Sequence, residues 1–178
     1  ALIVSVNVSP VQAMSQDLCQ TAAAALDTSG LTAERLELEI TESGFLNESH
    51  ITVRVLRALH AAGHRIALDD FGTGYSSLAY LRRFPFDTLK IDHTFVHELM
   101  ARRDSQAIVK MIVGLARTLQ MKVVAEGVEE PAQANVLHRY GCDALQGSVV
   151  ASPMAADAVL PFIANWPSRP RLTTGPPS

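Results

Sequence analysis

The sequence predicts an α/β fold of the TIM-type (β/α)8 barrel class, present as about six strand-helix units with the first two strands absent. Three observations predict it. Short apolar runs alternate with segments of helical periodicity along nearly the whole chain. The runs are apolar enough to suit parallel strands covered on their faces. Each of six runs also ends in, or holds, a residue able to bind a cation or a proton: Asn7, Glu39 with Glu42, Asp69 with Asp70, Lys90, Glu126 and Gln146. In parallel strands these ends gather at one edge of one sheet, where such barrels carry their active sites. A closed barrel uses eight strands and usually about 250 residues, against 178 here. The competing architecture is a complete, open, doubly wound sheet of six strands. No Gly-x-Gly-x-x-Gly follows the first strand to support it.

Leu2 to Val6 reads as a buried strand. Ser15 can cap a helix that places Leu18, Ala22, Ala25 and Leu26 on one face and ends near Gly30. Leu36 to Thr41 is the second strand, and Ile51, Val55, Leu59 and Ala62 mark a helix that Gly63 stops. Arg65 to Leu68 is the third strand. A glycine-rich loop and a short helix around Leu78 to Arg83 follow, the helix ending before Pro85. Thr88 to Ile91 is the fourth strand. Ile108, Met111, Ile112, Leu115 and Leu119 then recur at helical spacing. Met121 to Ala125 is the fifth strand. Pro131 suits the first turn of a helix that buries Val136, Leu137 and Tyr140 and stops at Gly141. Ala144 to Gln146 is the sixth strand and Ala155 to Ile163 the last helix. Residues 1–164 form one domain; 165–178, with four prolines, read as a disordered tail.

The formal charge of -3 argues against a nucleic-acid groove or a basic membrane surface. No apolar run approaches the roughly 20 residues a bilayer requires, and no secretory signal pattern opens the chain. Cys19 and Cys142 have no metal or redox spacing and read as structural thiols suited to the cytoplasm.

Glu39, Asp69 and Asp70, brought together, repel one another unless a cation intervenes. Their oxygens, with the amide oxygen of Asn7, suit Mg²⁺ or Mn²⁺ rather than zinc. Two adjacent aspartates can serve two ions, and a pair about 3.5–4 Å apart suits in-line attack on a phosphodiester. Lys90 near an attacking water can lower its pKa and screen the phosphate, and Glu126 can order the water or take its proton. Taken singly, each reads as a solvated strand-end residue. Phe71, Gly72, Thr73, Gly74 and Tyr75 form a loop whose glycines permit close backbone approach. Its aromatics suit a mobile lid or a partner surface, and a tight connection before a helix is the simpler reading.

These residues resemble the EAL family of bacterial cyclic di-GMP phosphodiesterases. The resemblance runs through Asn7-Val8-Ser9, Glu39-Ile40-Thr41-Glu42, Asp69-Asp70-Phe71-Gly72-Thr73-Gly74-Tyr75-Ser76-Ser77, Leu89-Lys90-Ile91-Asp92, Ala125-Glu126-Gly127-Val128-Glu129 and Gln146-Gly147. It implies a barrel with one antiparallel strand, and hydrolysis of cyclic di-GMP to linear pGpG with two Mg²⁺ or Mn²⁺ ions. It implies that Asn7, Glu39 and Asp69 hold the first ion and Asp69 and Asp70 the second. It implies that Lys90 and Glu126 act on the water, with Glu129 and Gln146 in support. Glu42 is implied to hold the Asp69–Gly74 loop, near a homodimer interface. Sensory or GGDEF domains are implied as attachments, and a tether to a membrane protein through segments outside this chain is compatible with the cytoplasmic reading. The chain begins after the place of the Glu-Ala-Leu motif, whose glutamate is a metal ligand in the family. After Gln146-Gly147 the family's aromatic and basic positions are Ser148 and Ser152. The metal set favours the enzyme. The Ser148–Ser152 stretch favours a non-catalytic cyclic di-GMP receptor or interaction module. A different metal-dependent barrel enzyme is the third reading.

Overall fold

The computed structural model describes residues 2–15, 17–42, 50–72, 74, 81 and 84–166. Six strands form one sheet in chain order: β1 (Val4–Val8), β2 (Leu36–Thr41), β3 (Arg65–Phe71), β4 (Thr88–Ile91), β5 (Lys122–Ala125) and β6 (Ala144–Leu145). Every neighbouring pair is parallel. The helices are α1 (Pro10–Ala13), α2 (Asp17–Ser29), α3 (His50–Ala61), α4 (His93–His97), α5 (Arg103–Thr118), α6 (Pro131–Tyr140) and α7 (Ala156–Ala164), with a 3-10 turn at Ala33–Arg35. Among the described residues β1 and β6 are the two edges, so the sheet is open.

One face of the sheet is the core. Val8, Leu38, Ile40, Ile66, Leu68, Leu89, Ile91 and Val123 are buried there, with Leu56, Leu59, Ile112 and Leu137 from the helices. The entry ends of two strands are stitched alike. The Asp87 carboxylate accepts from the Ile66 N–H at 2.9 Å, and that of Asp143 from the Val123 N–H at 2.8 Å. These bonds fix strand starts, so strand lengths decide what reaches the opposite ends.

The first strand departs from expectation. Leu2, Ile3, Val4 and Val6 are 48, 42, 47 and 44% exposed. They were expected to be buried, but an edge strand lacks one neighbour and β1 has too little cover over its apolar face. In α2 only Leu18 and Ala22 are buried, and Ala25 is exposed. Helix α1 was not expected. Ser9 caps it through a capping box with Gln12, and Pro10 opens it. β3 runs on through Asp69 and Asp70, past the expected end at Leu68. Its register against β4 shifts between Leu68 and Phe71, and Asp70 adopts φ 55°. This bulge is tolerable because an aspartate visits the left-handed region more readily than most residues. Thr73 and Tyr75, the helix expected at 78–83 apart from Leu81, and residues 167–178 lie outside the described residues. Asn165 caps α7, and the Trp166 ring centroid is 5.1 Å from that of Phe162.

Candidate active site

The face of the sheet opposite the core carries polar side chains in alternation. Ser5 and Asn7 stand in register with Glu37 and Glu39. Ala67 follows on β3, and Thr88 and Lys90 on β4. A concavity of about 680 Å³ lies along this face, lined by Ser5, Glu37, Thr88, Val124, Ala144 and Gln146 among others.

Lys90 is 3% exposed. Its Nζ lies 2.6 Å from Glu126 Oε1, 2.7 Å from Glu39 Oε2 and 3.2 Å from Asp69 Oδ1. Burial works against the ammonium, but the hydrogen bonds to Glu126 and Glu39 and the charges of Glu126 and Asp69 outweigh it. Its pKa is therefore held above the ordinary lysine value. Burial pushes the Glu126 carboxyl up; Lys90 pulls it back down, while the charges of Asp69 and Glu39 add to the rise. Asp70 is also raised, first by burial and then by the charges of Asp69 and Asp92. Asp92 caps α4. Burial opposes its ionisation, yet hydrogen bonds from the Thr94 hydroxyl and N–H hold its carboxyl below the usual range.

Asp69, Asp70 and Glu126 offer oxygens that all lie within 4.8 Å of one another. This all-oxygen, net-negative set fits a hard divalent cation. Burial raises the Asp70 carboxyl first and the charges of Asp69 and Asp92 add to the rise, a negative charge that a bound cation would offset. Glu39 stands on the other side of Lys90, and Asn7 beside Glu39, exposed at the sheet edge.

The remaining sequence-derived residues surround this group. Glu42 is buried, and its Oε2 accepts from the Gly72 N–H at 3.1 Å. A Cβ on Gly74 would come within 3.0 Å of Glu42 Oε1, so glycine permits the loop's approach to that carboxylate. The Phe71 side chain is buried in the core rather than held out as a lid. Glu129 is exposed, and its N–H donates to Gln133 Oε1. Gln146 is exposed on the rim, its backbone tied to Ala125 and Val128. Three residues were missed. Asp92 could have been found from its Asp-x-Thr cap pattern. Glu37 and Thr88 lie inside apolar runs, where only the strand-end positions had been considered.

A family model described as the EAL domain matches residues 1–153. The bifunctional diguanylate cyclase/cyclic di-GMP phosphodiesterase MucR of Pseudomonas aeruginosa is 44% identical over 161 residues, 90% of this chain and 24% of that protein. The chain thus spans about a quarter of the length of that curated relative. The solved MucR phosphodiesterase in complex with c-di-GMP superposes with TM-score 0.84 over 88% of this chain and 64% of that one, at 44% identity. The Klebsiella pneumoniae BlrP1 manganese/cy-diGMP complex does so with TM-score 0.79 at 32% identity, over 85% of this chain and 39% of that one.

Proposed function

The chain belongs to the EAL domain family, and on that premise we propose that it is the catalytic region of a cytoplasmic cyclic di-GMP phosphodiesterase. The substrate is cyclic di-GMP and the product linear pGpG. The observation that carries this reading is the Lys90 ammonium set among Glu39, Asp69 and Glu126 at adjoining strand ends, with Asp70 alongside. Asp69 and Asp70, with Glu39 and Asn7, would hold Mg²⁺ or Mn²⁺, two ions in all. Such ions supply Lewis-acid stabilisation of the phosphoryl oxygens and a water acidic enough to attack at neutral pH.

The geometry divides the work of the side chains. The Lys90 ammonium, held by Glu126, Glu39 and Asp69 at 2.6, 2.7 and 3.2 Å, serves as a fixed cation for the attacked phosphate. Glu126, beside Lys90 on the adjoining strand end, takes the proton of the attacking water. The water oxygen bonds to phosphorus, the bond from phosphorus to the ribose 3′ oxygen breaks, and that oxygen leaves as a hydroxyl after taking a proton from solvent. Glu42 holds the Asp69–Gly74 loop through Gly72. Glu129 and Gln146 support the pair acting on the water.

A homodimer through this loop region is part of the proposal. An apolar groove of about 500 Å³ lined by Phe71, Gly72, Phe95, Met111 and Leu115 supports it. Sensory or GGDEF domains are the expected attachments, in keeping with the diguanylate cyclase half of the MucR name. No helix among the described residues is long and apolar enough to cross a membrane. Ser148 and Ser152, both exposed, favour a second reading as a cyclic di-GMP receptor without turnover.

The test is an assay of the full-length protein with cyclic di-GMP and Mg²⁺ or Mn²⁺, with pGpG identified by mass spectrometry. Asp69→Asn and Glu39→Gln are expected to lower kcat by about two orders of magnitude or more. Turnover near normal in either variant removes that residue from the metal set. Tight binding with no pGpG selects the receptor reading.

A further inference from the structure

We propose that Glu37 and Thr88 form a positioning brace, laid beside Ala67, that holds the Glu39–Lys90 pair in its working geometry. The proposal rests on the phosphodiesterase reading. Two parallel cross-links run from β2 to β4 over the intervening strand. Lys90 Nζ reaches Glu39 Oε2 at 2.7 Å, and one pleat below it the Thr88 hydroxyl donates to Glu37 Oε1 at 2.6 Å. Glu39 and Lys90 each lie two residues on from a brace residue, so the brace fixes the same two backbones immediately beneath the pair. The carboxylates can cross β3 because the residue between them is Ala67, fully buried and in register with both Glu39 and Thr88. A larger side chain would occupy the space they cross.

Glu37 is 8% exposed, and hydroxyls hold both its oxygens: Thr88 on one, Ser5 at 3.1 Å on the other. A buried carboxylate held by two hydroxyls, with no ion pair among the described residues, is a costly choice for a strand interior, where an apolar residue packs with less desolvation. Stability alone does not account for it. Fixing a cross-strand distance does, since supporting hydrogen bonds lock the rotamers of side chains that act directly. The brace residues touch no reacting atom in this scheme; they act through Glu39 and Lys90.

Thr88→Val keeps the shape and removes the hydroxyl. It is expected to lower kcat about tenfold or more with KM moved less than about twofold, because small misplacement of catalytic groups is costly. Thr88→Ser is expected to restore kcat. A merely structural role would lower the melting temperature and the folded fraction while leaving kcat per folded molecule unchanged. Glu37→Gln keeps both hydrogen bonds, one of them reversed, and is expected to hold kcat within about threefold of wild type. This variant keeps the proposal testable should Thr88→Val fail to fold, and a large kcat loss in it overturns the brace in favour of a charge effect. A crystal structure of Thr88→Val is the second readout. A lengthened or re-aimed Lys90–Glu39 contact is expected, and an unchanged contact with unchanged kcat overturns the proposal. If the wild-type protein produces no pGpG, the phosphodiesterase reading fails separately, and the contact in the crystal structure alone decides for or against the brace.

Discussion

Replacing Lys90 by alanine would remove an ammonium that lies 2.6, 2.7 and 3.2 Å from Glu126, Glu39 and Asp69. Three carboxylates would then face one another in a nearly dry site. If Lys90 works on the phosphate during attack, Lys90→Ala lowers kcat by about two orders of magnitude or more while cyclic di-GMP affinity changes far less. Steady-state kinetics beside calorimetric binding checks this; lost affinity with kcat intact would reassign Lys90 to substrate recognition. Asp70 allows a test by pH. Its folded-state carboxyl is raised above the ordinary 3.8, so the folded protein binds the Asp70 proton more tightly than the unfolded chain. Ionised Asp70 therefore costs stability above its raised pKa, and the cost fades as pH falls toward 3.8. In EDTA, Asp70→Asn is expected to raise the melting temperature at neutral pH, with the advantage shrinking on acidification. A constant difference at every pH would show that ionisation of the buried Asp70 carboxyl is not the cause. At this scale the strand-end residues were legible because parallel strands must deliver their ends to one place. Glu37 and Thr88 were not, since nothing in a strand's interior pattern says which side chain spans a neighbour.

Among the elements, β3 shows best where pattern reading stops. Arg65 to Leu68 was evident from apolar periodicity, but the chain stays in the sheet through Phe71 by way of a bulge at two carboxylates. Hydrophobicity cannot signal that extension, because cross-strand hydrogen bonds make it. α1 was missed for another reason: its four residues are too few to show a period, although Ser9, Pro10 and Gln12 spell a helix start. The turn after β6 yields a sharper prediction. A Cβ on Gly147 would fall onto the backbone N and O of Val128, the atoms that bond Gln146 O and Val149 N at 3.0 Å each. Gly30 also has positive φ, at 69°, but nothing stands within 4 Å of a Cβ there. Gly30→Ala is expected to cost about 1–2 kcal/mol from left-handed backbone strain alone. Gly147→Ala should cost clearly more, because backbone must move, and it should shift Gln146. Denaturant melts of both variants check the order, and equal losses would mean the Val128 contact is soft.

For the molecule as a whole, the parallel sheet in chain order was legible, whereas the exposure of its first strand was not. An apolar run reads the same whether or not a neighbour covers it. Among the described residues β1 pairs on one side only, and Leu2, Ile3, Val4 and Val6 stay 42–48% exposed. α7, which follows β6 in the chain, has no buried residue, and its Leu160 is 69% exposed. Unpaired strand edges with apolar side chains template pairing with other chains. Residues 1–178 expressed by themselves are therefore expected to self-associate as concentration rises, and to hydrolyse cyclic di-GMP poorly beside a version extended by the roughly two strand-helix units an eight-stranded barrel would add. Lysines at Val4 and Val6 should suppress the association, because charges on an edge strand discourage further pairing. They should not restore turnover, because they add no strand and no ligand. Light scattering over a concentration series, run beside the cyclic di-GMP assay, separates these effects. A monodisperse 178-residue protein with the turnover of the extended version would show that six strands suffice and that the exposed edge is stable as it stands.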